Sequence, residues 1–274
     1  MLNKRCLLFF FIFAVCLPFI HGQDTSFLEC YYTKKARLRL DRKRLSPDEM
    51  TLRIGHNTTA FFSRWYAERQ AISDSLLRKG ASVSEVLDAE EKSGYPMSIF
   101  ASVIYKNIPS DGQWTETDKI ANRDYQYTED IQAPKWEITD EKMEILGYDC
   151  QKAVTDYYGR KWIAWFTTEI PIQAGPWKLH GLPGLILQAV DESKDYSFQC
   201  IELNNIDGVI EIPKKRYVKC SKEEYVSLLK EFESNDTKFR RSHGMAYAWP
   251  IDKGPDYTPD DIPFNYIERS SEAE

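Results

Sequence analysis

From residue 150 to residue 203 the chain strings together short β-type runs separated by turn residues, with no stretch of helical periodicity between them. The run 151–157 reaches Tyr158-Gly159 and is followed by Lys161-Trp162-Ile163-Ala164-Trp165-Phe166-Thr167, a pattern that predicts a β-hairpin. Runs 185–190 and 196–203, joined by the polar loop 191–195, predict a second. Strands in close succession pair antiparallel, because a parallel pair needs a crossover of a dozen or more residues. The centre of the chain is therefore confined to an antiparallel meander.

The faces of these strands add a second constraint. In 161–167, Trp162, Ala164 and Phe166 share one face and Ile163 and Trp165 the other, so both are apolar. In 185–190 only Gln188 interrupts an apolar run. Antiparallel sheets usually keep one wet face. A strand dry on both faces is covered by helices or curls around an apolar cavity. Helices are few. Ser221 and Glu224 form a capping box before Tyr225, Leu228, Leu229 and Phe232, and Asn235-Asp236 ends the pattern. Ser82 and Glu85 form another box before Val86 and Leu87, with a stop at Gly94, and Trp65, Tyr66, Ile72, Leu76 and Leu77 support a third helix over 65–77. Runs 28–40, 50–62, 98–108 and 120–127 read as further strands. The expected fold class is α+β, mainly β, with about three helices.

Lys4 and Arg5 precede an apolar run from Cys6 to Ile20 and the small residue Gly22, which reads as a cleaved secretory signal over residues 1–22. That run is shorter than the ~20 residues needed to span a bilayer, and no transmembrane segment is expected in the mature chain. Residues 23–274 are read as a single domain. Cleavage removes two cations and no acid, so the net charge moves from −6 to −8. An acidic chain with scattered cations is a poor nucleic-acid partner. The one basic cluster, 34–44, has Leu38, Leu40 and Leu45 interleaved and reads as the solvated face of a strand and its turn. Cys30, Cys150, Cys200 and Cys220 remain after cleavage. In an exported chain they allow two disulfides in three pairings, with at least one bridge expected, and none has the spacing of a zinc or redox motif.

Gly175-Pro176-Trp177-Lys178-Leu179-His180-Gly181-Leu182-Pro183-Gly184 sets an aromatic-basic insert between two turn-forming clusters and runs into Leu185-Ile186-Leu187. The segment resembles the signature after which the GLPGLI family is named. Upstream, Gly147-Tyr148-Asp149-Cys150-Gln151-Lys152-Ala153 resembles that family's Gly-Tyr-x-Cys-x-x-Ala element, and Trp165-Phe166-Thr167-Thr168-Glu169-Ile170-Pro171 its Trp-aromatic-Thr-x-acidic-Ile-Pro element. The resemblance is tightest over 140–205 and extends loosely from Cys30 to Asn265-Tyr266-Ile267-Glu268. It implies an exported protein of Bacteroidota-type bacteria, in the periplasm or on the periplasmic face of the outer membrane. It also implies a strongly curved antiparallel sheet, a half-open barrel like that of periplasmic lipoprotein carriers. It brings no established reaction with it.

The residues themselves point away from an enzyme. No nucleophile elbow, His-Glu-x-x-His, phosphate loop or dinucleotide fingerprint is present, and only His56, His180 and His243 follow the signal, so neither metal nor cofactor is expected. The ligand-binding candidates are Trp162, Trp165, Glu169, Trp177, Lys178 and His180. His180 could bind a head group or carry a proton at a cavity mouth. The plainer reading, a turn residue whose ring hydrogen-bonds nearby backbone, is preferred. Glu169 and Lys178 could pair to lock the loop, and the three tryptophans read first as core. Gly175, Gly181 and Gly184 fit positions of positive φ or close backbone approach, with Pro176, Leu182 and Pro183 completing the turn motif. The leading expectation is a non-enzymatic periplasmic binding, carrier or chaperone-like protein for an apolar ligand, lipid or protein segment. The alternatives are a protein–protein module of the outer envelope and a hydrolase using Glu169 and His180.

Overall fold

The computed structural model describes residues 24–39, 43–245 and 265–269, so the expected signal segment lies outside the described residues. In chain order the elements are β1 (Asp24–Ala36), β2 (Ser46–Gly55), β3 (Thr59–Ser63), α1 (Arg64–Arg78), α2 (Val83–Lys92), β4 (Val103–Lys106), β5 (Gln113–Ile120), β6 (Arg123–Asp130), β7 (Glu137–Ile145), β8 (Tyr148–Tyr157), β9 (Arg160–Thr167), β10 (Leu185–Asp191), β11 (Tyr196–Ile210), β12 (Val218–Lys219), α3 (Lys222–Ser234) and α4 (Asp236–Ser242). The strands form one open sheet in the order β12-β6-β5-β4-β3-β2-β1-β11-β10-β9-β8-β7. β12 runs parallel to β6, and the other pairs are antiparallel. The fold is mainly β, as the turn spacing implied.

Local chemistry explains most boundaries. Tyr158 and Gly159 both take positive φ, at 49° and 69°, which is the type I′ geometry that joins β8 to β9 without splaying them. Ser82 and Ser221 cap α2 and α3 with full capping boxes. The expected strand 50–62 is in fact the β2–β3 hairpin. Its turn is pinned by the Asp24 carboxylate, which accepts from the amides of Asn57 and Thr58 at 2.9 Å and from Thr58 Oγ1 at 2.8 Å. The expected strand 120–127 likewise breaks after Ile120, where Ala121 takes φ 56° and turns β5 into β6. Asn235 ends α3 through its own N–H to the Glu231 carbonyl. Its side chain then accepts from the Lys238 amide, starting a fourth helix, α4, where the sequence pattern had shown only a stop.

The largest core cluster gathers Tyr32, Leu52, Phe61, Trp162, Phe166, Phe198 and Leu185 to Leu187 from both halves of the sheet. Trp162, Ala164 and Phe166 are buried, whereas Ile163 and Trp165 are half-buried, so the two faces of β9 are not equally dry. β10 begins beside the extended stretch 170–174: the amides of Leu185 and Ile186 donate to the carbonyls of Ile170 and Ala174, each at 3.0 Å. A smaller cluster, with Ile120, Tyr125, Tyr127, Tyr225 and Phe239, lies where α3 and α4 meet β5 and β6. Residues 131–136 connect β6, near one end of the strand order, to β7 at the other. No helix among the described residues is long and apolar enough to cross a membrane.

Candidate binding site around the signature loop

The loop between β9 and β10 is folded back by its small residues. A Cβ at Gly184 would lie 1.9 Å from the Thr167 carbonyl oxygen, so no larger residue fits while the strands hold their places. Gly181 sits at φ 88°, in the left-handed region where a side chain is strained. Trp177 occupies that region too, at φ 57°, although it is bulky. Packing holds it there. Its ring lies 5.5 Å from Trp162, 5.4 Å from Tyr158 and 6.0 Å from Tyr157, centroid to centroid.

With Trp177 fixed inward, Lys178 is driven through the interior towards β5 and β6. Its side chain is 0% exposed. The ammonium meets Glu129 Oε1 at 2.5 Å, Glu116 Oε2 at 3.4 Å and the Glu268 carboxylate. Lys222, on the first turn of α3, reaches the second oxygens of Glu129 and Glu268 at 2.6 and 2.5 Å. Two glutamates are thus each shared by two lysines. Glu116 also accepts from Tyr127 Oη at 2.5 Å and Ser102 Oγ at 2.6 Å. Burial alone would pull the Lys178 pKa down, but Glu116, Glu268 and Glu129 hold it well above the ordinary lysine value. Burial would raise Glu129, yet Lys178 and Lys222 hold it below the usual glutamate value.

The expected Glu169–Lys178 lock is therefore not formed. Glu169 is exposed and accepts from the Asp149 amide at 2.9 Å, at the β7–β8 turn. His180 is buried, its Nδ1 donating to the Lys178 carbonyl at 2.9 Å while its own carbonyl accepts from Trp136 Nε1 at 2.7 Å. Burial, with Lys106 adding to it, lowers the imidazole pKa to about 4, so the ring is neutral at ordinary pH. Glu169 and His180 have separate partners. Of the candidates, Trp162, Trp177, Lys178 and His180 come together in the interior, while Trp165 and Glu169 do not join them. Lys34, expected on a solvated face, is buried, its ammonium 3.3 Å from the Phe100 ring centroid, and burial lowers its pKa to about 8.

Cys30, Cys150, Cys200 and Cys220 are free thiols in this structure, the first three buried. Burial raises Cys150 to about 11 and Cys200 to about 12, so these thiols are poor nucleophiles. No group of three or more His, Cys, Asp and Glu side chains among the described residues could hold a metal ion.

Glu116, Glu129, Lys222 and Glu268 were missed by motif reading because they lie far apart along the chain. Glu268 belongs to the segment 265–269, which packs against the β8–β9 turn: the Arg269 amide donates to the Tyr158 carbonyl at 3.0 Å. Two open clefts meet at this turn. One, of about 600 Å3, is lined by Thr128, Glu129, Asp130, Tyr158, Lys222 and Arg269, among others. The other, of about 490 Å3, is lined by Lys135, Thr155, Asp156, Tyr157 and Lys161, and both share Gln132 and Tyr158. Both clefts are lined by acids and bases together, which suits a polar ligand of low net charge.

A family model described as "N-glycanase peptide, N-terminal domain" matches residues 83–229. Two solved structures of PNGF-II, in the P21 and C2 space groups, are similar at 15% and 16% identity, with TM-scores of 0.47 and 0.46. Each alignment covers 74% of this chain and 32% of the other, so the chain spans about a third of the length of the structures it matches. No curated protein matches it.

Proposed function

The chain belongs to the N-glycanase peptide, N-terminal domain family, and from that premise we propose that it is a non-enzymatic binding module that holds a polar segment of a partner protein. The segment would lie in the paired clefts at Tyr158. One observation carries this reading: Lys222 and Glu129 belong both to the buried charge cluster and to a cleft wall, so the binding surface is held rigid from beneath. The charged residues of the signature are meanwhile committed to structure. Lys178 is a buried counter-ion and His180 a neutral backbone clamp.

The same proposal includes export, a periplasmic or outer-membrane-facing location, GLPGLI-type kinship and at least one disulfide among Cys30, Cys150, Cys200 and Cys220. It also includes the half-open barrel shape. Two facts support that shape. Ten strand spacings separate β6 from β7, about 48 Å in a flat sheet, yet residues 131–136 reach at most ~25 Å. The Phe61 and Phe198 rings lie 5.8 Å apart with β2 and β1 between their strands. A curved sheet of this kind favours a second reading, a carrier of an apolar ligand, which uptake of a fluorescent fatty acid by delipidated protein would support.

The deciding test is an NMR titration of the full chain with a glycopeptide and with its unglycosylated counterpart, followed by mass spectrometry of the peptides. Saturable shifts at Gln132, Tyr158 and Lys222 with intact peptides are expected. Release of the glycan would overturn the non-enzymatic reading, and no shift at millimolar peptide would overturn the binding reading.

A further inference from the structure

Residues 265–269 form no strand and no helix, yet they are held by an unusually complete set of hydrogen bonds. Three consecutive carbonyls accept from side chains: Asn265 from Tyr196 Oη at 2.5 Å, Tyr266 from Arg160 Nη2 at 2.6 Å and Ile267 from Arg160 Nε at 2.8 Å. The amides of Asn265 and Arg269 donate to the carbonyls of Leu38 at 2.8 Å and Tyr158 at 3.0 Å. Side chains are read as well. Asn265 accepts from Arg160 at 2.7 Å and donates to the Arg37 carbonyl at 2.8 Å. Glu268 reaches Lys178 and Lys222, and Tyr266 donates to Glu233.

The receiving residues are also held by contacts outside the segment they receive. Arg160 is 1% exposed and held by Asp191 Oδ2 at 2.7 Å. Its guanidinium lies 4.7 Å from the Tyr196 ring centroid. Asp191 is in turn fixed by the Tyr196 amide at 2.7 Å. Lys178 is set by the loop between β9 and β10. Gly159 lacks the side chain that would collide with the Arg269 carbonyl at 2.6 Å. The bed thus comes from β9, β10, β11, the signature loop and α3, and its backbone-reading donors are preorganised, which is how extended peptides are recognised at low ordering cost. At its Arg269 end it opens into the cleft of about 600 Å3, where a longer peptide could continue.

We propose that this bed is a peptide-binding groove, occupied here in cis by residues 265–269, which accepts from a partner protein an extended segment with Asn and, three residues later, Glu. The Asn amide docks between Arg160 and the Arg37 carbonyl, and the Glu carboxylate bridges Lys178 and Lys222. The two intervening residues present their carbonyls to Arg160. The proposal rests on the binding-module reading and names its ligand. A tethered segment competes at millimolar effective concentration, so a partner gains entry when the strap is weakened or outnumbered.

The test uses the full chain carrying Asn265→Ala and Glu268→Ala, with its fold checked by amide NMR, and a fluorescent peptide of residues 265–269. Saturable binding is expected, weakened at least tenfold when the peptide carries Asn→Ala or Glu→Lys. Equal binding of these peptides, or none, overturns the proposal. If the double variant fails to fold, hydrogen exchange on the wild-type chain decides. The Asn265 and Arg269 amides should exchange at least tenfold faster than the β9 and β11 amides, through opening of the strap alone. Exchange only together with those strands overturns the groove. Peptide binding to the groove without any response of the cleft to glycopeptides would sink the function reading and keep the groove; the converse would sink the groove alone.

Discussion

Lys178 gives the sharpest stability prediction. Its ammonium has no exposure to water and faces three carboxylates, two of which it shares with Lys222. Replacing it by methionine keeps the volume and removes one of two cations facing Glu129 and Glu268. Breaking a buried pair by removing one partner costs about 3–5 kcal/mol, because the remaining charge stays desolvated. Since Lys222 still serves both glutamates, the lower end applies, and Lys178→Met should cost about 3 kcal/mol in urea unfolding at pH 7.5. The sign with pH follows from Glu129. Its folded pKa lies below the unfolded value, so its contribution is present above about pH 4.5 and lost as pH falls through the folded pKa. Without Lys178 that depression weakens, and Glu129 takes up its proton at higher pH in the variant than in the wild type. The deficit should therefore shrink as pH falls below about 4.5, where Glu129 of the variant is protonated before that of the wild type. Adding Glu129→Gln should restore part of the loss, a coupling that a double-mutant cycle reads directly. A deficit below about 1 kcal/mol, or one that does not change with pH, would refute the assignment of Lys178 as the counter-ion of this cluster.

Three further outcomes follow from the same interior. His180, at about 4 in the folded chain against an ordinary histidine value of 6.5, should contribute up to about 3 kcal/mol that is complete above pH 6.5 and lost between 6.5 and 4; an NMR titration showing imidazole protonation above pH 6 would refute it. Asp118 is pushed up to about 7 by burial, with Glu116 adding to it and Tyr225 Oη and Lys34 opposing it. It should therefore lower stability progressively as pH rises from about 4 to 7, so Asp118→Asn should gain at least about 1 kcal/mol over wild type at pH 8 and nothing at pH 4; a loss at pH 8 would contradict this. Gly184→Ala should cost about 3 kcal/mol or abolish folding, because the clash is with the Thr167 backbone. Gly181→Ala should cost only about 1–2 kcal/mol, since nothing lies near its missing Cβ and only the backbone is strained. Thermal unfolding that ranks the two in the opposite order would refute the close-approach argument.

The parts of the fold legible in the sequence were those fixed by neighbours along the chain. The Tyr158-Gly159 hairpin, the Ser82 and Ser221 capping boxes and the positive φ of Gly181 are all decided within a few residues. The hidden turns at 56–58 and at Ala121 were not. The first depends on Asp24, more than thirty residues away, to supply its acceptor, and no glycine or proline marks the second. β7 was invisible for a different reason: as a nearly wholly exposed edge strand it carries almost no apolar alternation. Its charges are what an edge strand needs to resist pairing with another chain.

The site was half legible for the same physical reason. The signature pointed to Trp177, Lys178 and His180, but a charged residue declares its role only through its partners, and those of Lys178 lie 62, 49 and 90 positions away at Glu116, Glu129 and Glu268. Pairing Lys178 with the nearby Glu169 treated both as surface groups, whereas the strained Trp177 backbone turns the lysine inward and leaves Glu169 outside. Burying an ammonium is tolerable only when carboxylates are already gathered to meet it. The segments that gather them, β5, β6, α3 and residues 265–269, include both the wall of the cleft and the strap beside it. A ligand that displaces the strap would remove Glu268 from this cluster. An incoming Glu would replace it without leaving Lys178 unpaired, whereas an apolar residue at that place would leave a buried cation short of a partner. The charge balance beneath the groove therefore selects the partner, and it does so from residues that the partner's main chain never touches.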